Sequence, residues 1–262
     1  MNSTQQLEND IAFVGCGNIA RALIKGLINA DSLNGDRINV FSRTPNNVQE
    51  FMALENLAFK NFDNMNDAVV DKRIVILAVK PKDVPEVARK LAMYLSSSQI
   101  LVSLAGGINT TELKSYFPTN PGIVRVMPNV ASMFGFGMSI IYSDDKQAAK
   151  EVHEFCSVTG KSLILEKEDE MDIAGVLGAC VPAYVSLMIE SLTDAGIKMG
   201  LNWETSLLIA SQAIVGGGSM VSDGLLHPSE IKNMVASPAG TTIAGIYQLE
   251  KNNFRAAIMS AV

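Results

Sequence analysis

Two glycines near the amino terminus have the spacing of a phosphate-binding loop. The apolar run at residues 11–14 is followed by Gly-Cys-Gly-Asn-Ile-Ala at residues 15–20, and apolar residues at helical spacing begin directly afterwards. A buried strand that turns sharply into a helix presents backbone N–H groups and the positive end of the helix dipole, which suits a pyrophosphate. Gly15 would permit the tight turn, Gly17 the close approach of backbone to phosphate, and Ala20 close packing of the helix. The segment therefore predicts a dinucleotide site.

The end of the next predicted strand distinguishes between the two nicotinamide cofactors. An NAD-binding enzyme carries a carboxylate there for the ribose 2′-hydroxyl, but this chain has Ser42, Arg43 and Thr44. A guanidinium with hydroxyl neighbours can hold a 2′-phosphate through charge-assisted hydrogen bonds of about 1.5–3 kcal/mol each. We therefore favour NADPH as the cofactor, with NADH as the second candidate. The alternative is that Arg43 is a solvated surface residue.

Two later strand ends carry residues suited to the rest of a dinucleotide. The sequence Ala-Val-Lys-Pro occupies residues 78–81, and Ala105 and Gly106 follow another apolar run. Parallel sheets bind ligands at the carboxyl ends of their strands. Pro81 would fix the exit of the chain, and the small residues would let a nicotinamide ribose approach the backbone. Plain structural turns are the alternative for each segment taken alone.

Alternating apolar runs and helical patterns predict the elements that position these residues. An α/β fold follows, with a Rossmann-type, mostly parallel sheet and helices on both faces. The predicted strands are residues 11–14, 38–41, 74–79, 100–104, 123–127, 137–142 and 162–165. The acidic segment 166–172 suits the solvated start of a helix, and helical patterns follow it. We predict a dinucleotide-binding domain at residues 1–166 and an all-α dimerisation and substrate-binding domain at residues 167–262.

Composition limits the partners of this chain of 262 residues, which is 48% hydrophobic and 18% charged. A net charge of −6 argues against a nucleic-acid surface, because phosphate binding requires a basic stripe. The apolar stretch Ile173 to Ile189 is slightly short for a membrane span and contains proline. We interpret it, together with Leu207 to Val221, as buried helices at a dimer interface. The expected partners are small molecules and a second copy of the chain, and no membrane.

Cysteine and histidine usage predicts neither disulfides nor a metal. The three cysteines are scattered and unpaired in spacing, and the two histidines lie far apart. The polar first ten residues lack a signal or transit pattern. We therefore expect no metal site and a cytoplasmic location.

Further motifs, in the same order along the chain, name a family. They are Val-Arg-Val-Met-Pro-Asn at 124–129, Pro-Ala-Tyr at 182–184, Lys-Met-Gly-Leu at 198–201, His-Pro at 227–228 and Ser-Pro-Ala-Gly-Thr-Thr at 237–242. Together with the glycine loop, this series resembles pyrroline-5-carboxylate reductase over residues 11–261. The resemblance implies reduction of the cyclic imine 1-pyrroline-5-carboxylate to proline with NAD(P)H, in a homodimer joined by carboxyl-terminal helices. Members of the family often build decamers from such dimers.

The resemblance also implies which residues line the cofactor. These are Gly15, Gly17, Asn18, Ile19, Ser42, Asn64, Ala78, Lys80, Pro81, Ala105 and Gly106, to which Ala20, Arg43 and Val79 are added from the segments described above.

The loop at residues 237–242 is suited to the substrate. It precedes apolar residues at helical spacing, so its backbone N–H groups and threonine hydroxyls can bind a carboxylate at a helix start. The resemblance places Thr242 near the imine nitrogen, where we assign it a proton-donating or orienting role. A threonine helix cap is the alternative. The predicted substrate-binding residues are Ser237, Ala239, Gly240, Thr241, Thr242 and Val181.

Several residues depart from the family pattern around this loop. The usual Ser-Gly-Ser-Gly before Pro182 is Gly-Ala-Cys-Val at 178–181, so Val181 occupies space that glycine leaves open. Ala239 replaces a glycine, Leu225 a common glutamate, and Val130-Ala131 a Thr-Pro pair. Three alternatives therefore remain: reduction of another cyclic imine, an NADP-binding dimeric paralogue with little catalysis, and a 3-hydroxyacid or 6-phosphogluconate-type dehydrogenase. Substrate-dependent oxidation of NADPH separates the enzyme from the binding protein.

Overall fold

Strands in the described part of the chain form one sheet. The computed structural model describes Leu7 and residues 9–224 and 226–262, so the departure at Leu225 lies outside the described residues. The strands are β1 (Ile11–Val14), β2 (Ile38–Phe41), β3 (Lys60–Phe62), β4 (Ile74–Leu77), β5 (Ile100–Ser103), β6 (Gly122–Met127), β7 (Gly137–Tyr142) and β8 (Gly160–Ile164).

The helices of the same residues are α1 (Asn18–Asn29), α2 (Pro45–Leu54), α3 (Met65–Val69), α4 (Val84–Leu91), α5 (Thr110–Ser115), α6 (Lys146–Ser157), α7 (Met171–Gly175), α8 (Val181–Lys198), α9 (Trp203–Ser222), α10 (Pro228–Val235), α11 (Thr241–Lys251) and α12 (Phe254–Ala261). Short 3₁₀ turns include Pro81–Asp83, Val130–Phe134 and Glu168–Glu170, and a π-helical turn spans Val176–Cys180.

The strands are apolar on both faces because helices cover both. Side chains alternate across a strand, so Ile11 and Phe13 of β1 pack in one core cluster while Ala12 and Val14 pack in the other. The first cluster holds α1 and α6 against the sheet, and the second holds α3, α4 and α5. Ala20 of α1 is buried in the first cluster, where its small side chain allows close packing against the sheet.

The strand order is β3-β2-β1-β4-β5-β6-β7-β8, and every pairing is parallel except that of β6 with β7. The predicted mostly parallel sheet is confirmed. Strand β3 was not among the predicted strands, because Lys-Asn-Phe is short and partly exposed at the sheet edge. The order reverses between β1 and β4, which is the switch point where such sheets bind ligands.

The first helical turns after the last strand remain packed on the sheet. Arg125 of β6, whose side chain is 5% exposed, donates through Nη1 to Glu168 at 2.8 Å. The same carboxylate accepts the backbone N–H and the hydroxyl of Thr110, each at 2.7 Å. Glu168 was expected at a solvated helix start. It instead offsets the buried charge of Arg125, which would be costly without a partner.

Two compact units divide the chain between Pro182 and Ala183. The boundary predicted at residues 166 and 167 follows the end of the last strand, whereas the first unit extends farther because residues 168–182 pack with it. The predicted domain limits stay a prediction about where the sheet ends and the helices begin.

A proline inside the long helix accounts for the π-helical turn. Residues 171–198 form one continuous helical segment that contains Pro182. Proline has no N–H to donate to the carbonyl four residues earlier, and helices accommodate it by local π adjustments. The freed carbonyl of Gly178 accepts a hydrogen bond from Asn129 Nδ2 at 2.8 Å. Val181 has helical dihedral angles although it precedes a proline. The backbone restriction expected for a β-branched residue before proline therefore did not prevent a helix at this position.

Asn129 also caps the turn that follows β6, because its Oδ1 accepts the backbone N–H of Ala131 at 3.1 Å.

Replacing Asn129 by alanine should lower the free energy of unfolding by about 1–3 kcal/mol because the Gly178 carbonyl loses its donor, in addition to the loss of the cap. Urea unfolding would measure this cost. Asn109→Ala is the matched control, since Asn109 caps α5 through one bond to Glu112 N. An equal loss in the two variants would contradict the role assigned to the Gly178 bond.

The second unit, residues 183–262, is helical and leaves large apolar side chains exposed in the single chain. Leu187, Leu208 and Ile209 are examples on α8 and α9. These helices were predicted to be buried at a dimer interface, and in the single chain their apolar side chains are exposed. By length and composition alone, two helical segments, Glu168–Lys198 and Trp203–Ser222, are long and apolar enough to cross a membrane. Such faces require a cover that one chain does not supply.

Candidate functional site

The glycine loop after β1 has the conformation that its sequence predicts. Gly15 has a φ of +104°, which side chains with a Cβ rarely adopt, and its N–H donates to the Phe41 carbonyl at 2.8 Å. A Cβ on Gly15 would lie 2.6 Å from the Ala78 carbonyl oxygen. The loop is therefore pressed between the ends of β2 and β4, and only glycine fits there.

Gly17 is exposed to solvent and occupies the N-cap position directly before α1. Its backbone is extended, no side chain caps the helix, and a Cβ placed there meets nothing within 4 Å. The first N–H groups of an uncapped helix lack partners inside the helix. With the dipole of a 12-residue helix behind them, these groups form a site for an anion.

A cavity of about 570 Å³ opens above this loop at the carboxyl ends of β1, β2 and β4. It brings together most of the residues predicted to bind the cofactor, from three separate segments. The predicted residues that line it are Gly15, Gly17, Asn18, Ser42, Arg43, Ala78, Val79 and Lys80.

Arg21 also lines this cavity, although sequence reasoning missed it. Its Nε donates to the Cys16 carbonyl at 3.1 Å and its Nη2 to the Asn47 carbonyl at 3.0 Å. These bonds tie the glycine loop to the first turn of α2. The signal was present, because Arg21 lies three residues after Asn18 and therefore on the same face of α1.

The cavity is basic although the chain is acidic overall. Five cationic side chains line it against two carboxylates: Arg21, Arg43, Lys80, Lys82 and Lys90 against Asp83 and Glu86. Burial raises the pKa of the Cys16 thiol, partly offset by Arg21, so this loop residue stays uncharged at neutral pH. Clustered positive charge in a cleft favours a polyanionic ligand.

Arg43 is neither buried nor a free surface residue. Its side chain is 68% exposed and its Nη2 lies 3.1 Å from Asp83 Oδ2, whose side chain is 22% exposed. Ser42 Oγ accepts the backbone N–H of Thr44 at 3.3 Å, which orders the turn that carries Arg43. An exposed guanidinium at the end of β2 has donors to offer to a ligand phosphate.

The other predicted cofactor residues lie outside the lining of this cavity. Ile19 lines a second, apolar cavity, Asn64 lines a neighbouring pocket and caps α3 through Asn66 N at 2.9 Å, and Ala20 is in the core. Ala105 is buried, Gly106 is partly buried and Pro81 is exposed after β4. These six do not line the basic cavity, and their roles in cofactor binding stay predictions.

The second cavity, of about 400 Å³, is almost entirely apolar. Its lining comes from the start of α1, the ends of β5 and β6, and the first helical turns after the sheet: Ile19, Leu104, Met127, Pro128, Asp172, Gly175, Val176, Ala179 and Cys180. Because the adjacent residues Asn18 and Ile19 line different cavities, the two meet at the amino end of α1. Val181 does not line this cavity.

The predicted substrate loop lies in the second unit and forms a tight turn before α11. Gly240 N donates to the Ser237 carbonyl at 3.0 Å, and Ala239 has a φ of +57°. That dihedral is the left-handed conformation in which glycine is usual, so Ala239 is strained. The loop keeps the shape that the missing glycine would favour, at some cost in stability.

The turn leaves the amino end of α11 uncapped. Gly240 occupies the N-cap position but has no side chain to cap this 11-residue helix. A Cβ on Gly240 would collide with Ser237 Oγ. Thr241 and Thr242 are the first two helical residues. The first backbone N–H groups of α11 therefore lack side-chain partners and suit a carboxylate, and the role of Thr241 and Thr242 at the substrate stays a prediction.

Within the described residues, no group of three His, Cys, Asp or Glu side chains could hold a metal ion. Cys180 is the exposed cysteine of the three, and Cys16 and Cys156 are buried.

Family models match both halves of the chain. Residues 168–262 match the model for pyrroline-5-carboxylate reductase dimerisation, and residues 10–107 match that for an NADP oxidoreductase, coenzyme F420-dependent. The first match begins at the acidic segment after β8.

Individual relatives match nearly the whole chain. A pyrroline-5-carboxylate reductase of Arabidopsis thaliana is 33% identical over 96% of this chain and 91% of its own length. One of Pseudomonas aeruginosa is 31% identical over 96% of this chain and 92% of its own. The crystal structure of Plasmodium falciparum pyrroline carboxylate reductase with NADP bound superposes with a TM-score of 0.85, at 31% identity, and covers 98% of this chain and 95% of that one.

Proposed function

We infer, because the chain belongs to the pyrroline-5-carboxylate reductase family, that it reduces 1-pyrroline-5-carboxylate to proline. The protein is an oxidoreductase acting on a C=N bond, with a nicotinamide-dinucleotide-binding first half and a dimerising helical second half. The reaction adds a hydride to the imine carbon and a proton to the ring nitrogen. The observation that carries this conclusion is agreement with pyrroline-5-carboxylate reductases over nearly the whole chain, 96% for the Arabidopsis thaliana protein and 98% for the Plasmodium falciparum structure.

The basic cavity fits a dinucleotide phosphate. The open face of Gly17, the uncapped start of α1 and the cationic lining together suit a pyrophosphate at residues 15–18. NADPH supplies the hydride when bound. We assign the end of β2, with Ser42 and Arg43, to the ribose 2′-phosphate, and this favours NADPH over NADH. The apolar cavity beginning at Ile19 suits the uncharged nicotinamide ring.

The substrate loop supplies the remaining groups. The carboxylate of the imine binds the N–H groups at the start of α11, with the hydroxyls of Ser237 and Thr241 as further donors. Thr242 lies at the second position of this helix and donates its hydroxyl proton to, or orients, the ring nitrogen. Hydride transfer requires the donor and acceptor carbons about 3–3.5 Å apart, so fixing the carboxylate is the main task of the loop.

The exposed apolar faces of α8 and α9 support a homodimer. The dimerisation model covers these helices, so we attribute their apolar surface to a second copy of the chain rather than to a membrane. A decamer built from such dimers, and a cytoplasmic location, complete the proposal.

The test of the function is oxidation of NADPH by the purified protein with 1-pyrroline-5-carboxylate. A panel of other cyclic imines runs beside it, because Ala179, Cys180, Val181 and Ala239 depart from the family pattern. Turnover on the five-membered imine establishes proline formation and shows that these departures are tolerated. Turnover on another imine alone would redefine the substrate, and failure on the whole panel would contradict an enzymatic role.

The assignment of Arg43 predicts a selective loss of affinity. Arg43→Ala should weaken NADPH binding about 10- to 100-fold, the equivalent of one charge-assisted bond, and change NADH binding less than about twofold. Calorimetric titration of both cofactors measures this. Lys114→Ala is the control, because it removes a positive charge that does not line the cavity. Equal losses for NADPH and NADH in Arg43→Ala would contradict the role at the 2′-phosphate.

A further inference from the structure

We propose that Asp83 is a specificity-determining residue that limits the preference of this chain for NADPH over NADH. The proposal rests on the assignment of Arg43 to the ribose 2′-phosphate. It starts from the ion pair between Arg43 Nη2 and Asp83 Oδ2, at 3.1 Å.

The pair joins the two strands that flank the glycine loop. Strands β2 and β4 lie on either side of β1 in the sheet, Arg43 follows β2, and Asp83 ends the turn after β4. Asp83 is the better fixed partner, because its backbone N–H donates to the Lys80 carbonyl at 2.9 Å and its side chain is only 22% exposed. The side chain of Arg43 extends from the end of β2 toward the turn after β4 to make this contact.

A phosphate bound by Arg43 must therefore share the guanidinium with a carboxylate. Arginine has five N–H donors in a planar fork, so one bond to Asp83 leaves others for a phosphate. A phosphate bound to another N–H of the same guanidinium would lie close to Asp83, which lines the same cavity as Arg43. Like charges at such separations repel, and the partly exposed site weakens the repulsion without removing it.

NADH does not meet this repulsion. Its 2′-hydroxyl is neutral and can donate a hydrogen bond to a nearby carboxylate, which is the interaction that acids provide in NAD-binding enzymes. Any repulsion between Asp83 and the pyrophosphate is common to both cofactors, so the selective effect of its negative charge is on the 2′-phosphate of NADPH. Loss of the ion pair itself should change the stability of the fold little, because its arginine is largely exposed to solvent.

The second carboxylate of the cavity is differently placed. Glu86 accepts a hydrogen bond from Lys90 Nζ at 2.8 Å. That bond holds the pKa of Glu86 below its ordinary value, with a smaller contribution from Arg43. Its charge is balanced by its own lysine, so Glu86 serves as a matched carboxylate in the same cavity.

The test measures the dissociation constants of NADPH and NADH for the wild-type protein, Asp83→Asn, Glu86→Gln and Arg43→Ala. Asp83→Asn should bind NADPH about 3- to 10-fold more tightly at low ionic strength and NADH within about twofold of wild type. The gain should shrink at higher salt concentration, which a purely structural effect would not do. Glu86→Gln should change the NADPH to NADH ratio less than about twofold.

The outcomes separate this inference from the function on which it rests. A selective loss of NADPH affinity in Arg43→Ala with no change in the ratio for Asp83→Asn would overturn the role of Asp83 alone. The same change in Asp83→Asn and Glu86→Gln would also overturn it, because general charge rather than contact with Arg43 would be responsible. A nonselective Arg43→Ala would instead contradict the placement of the 2′-phosphate.

Discussion

Replacement of Thr242 by valine is expected to lower kcat for 1-pyrroline-5-carboxylate about 10²- to 10³-fold. Valine keeps the shape of the side chain and removes the hydroxyl. Loss of one aligned donor to a group that gains a proton in the reaction typically costs this much. Because Thr242 lies at the start of α11 and the cofactor cavity is formed by other residues, the affinity for NADPH should stay within about twofold.

Two further variants make the test of Thr242 specific. Thr242→Ser retains a hydroxyl and should restore most of the turnover. Thr241→Val changes the preceding, exposed residue of the same helix and should raise KM for the imine with little effect on kcat. If Thr242→Val keeps wild-type kcat and KM, the hydroxyl takes no part in the reaction, and since no side chain caps α11 it has no capping role either.

Replacement of Gly17 by valine is expected to weaken binding of NADPH and NADH alike, by about 10²- to 10⁴-fold. The added side chain projects into open space above the loop and keeps phosphate from the first N–H groups of α1. Two lost charge-assisted bonds account for this magnitude. The extended backbone of Gly17 accepts any residue, so the unfolding midpoint in urea should change little. Calorimetric titration and urea unfolding measure the two effects.

Gly15→Ala is the contrasting variant. Its Cβ would lie 2.6 Å from the Ala78 carbonyl oxygen and require a φ of +104°. It should therefore lose stability by about 1–3 kcal/mol as well as cofactor affinity. A Gly17→Val protein that binds NADPH as the wild type does would show that phosphate does not approach this loop. An equal loss of stability in both variants would show that Gly17 is structural.

Much of the first unit could be predicted from local sequence. Strands β1 and β4 are continuous apolar runs, and β2 and β5 are apolar except for the buried Asn39 and Ser103, because both faces of the sheet are covered. Residue type also determined that Gly15 adopts a positive φ. Such features depend on residues within about one turn of each other, so they can be read from spacing.

Short or partly exposed elements were harder to predict. Strand β3 has only three residues, and none of them is fully buried. Its hydrogen-bonded pairing with β2 stabilises it more than its own side chains do. The antiparallel direction of β7 follows from its pairing with β6 and from no residue pattern in either strand. The helices of the second unit were predicted to be buried at a dimer interface because their sequences are apolar, and within one chain their apolar faces are exposed. Burial there depends on a second copy of the chain.

By itself, then, the sequence determined the family, the glycine loop, the fold class of the sheet and the loop that begins α11. Only the tertiary structure decided which residues distant in the sequence form hydrogen bonds with each other. Arg43 and Asp83 are 40 residues apart in the chain, and Asn129 and Gly178 are 49 residues apart. Their contacts exist because β1 lies between β2 and β4, and because Pro182 leaves a carbonyl without its helical donor. Local sequence patterns predict the conformation of each segment. Contacts between residues far apart in the sequence depend on the order of the strands and on the packing of the whole unit.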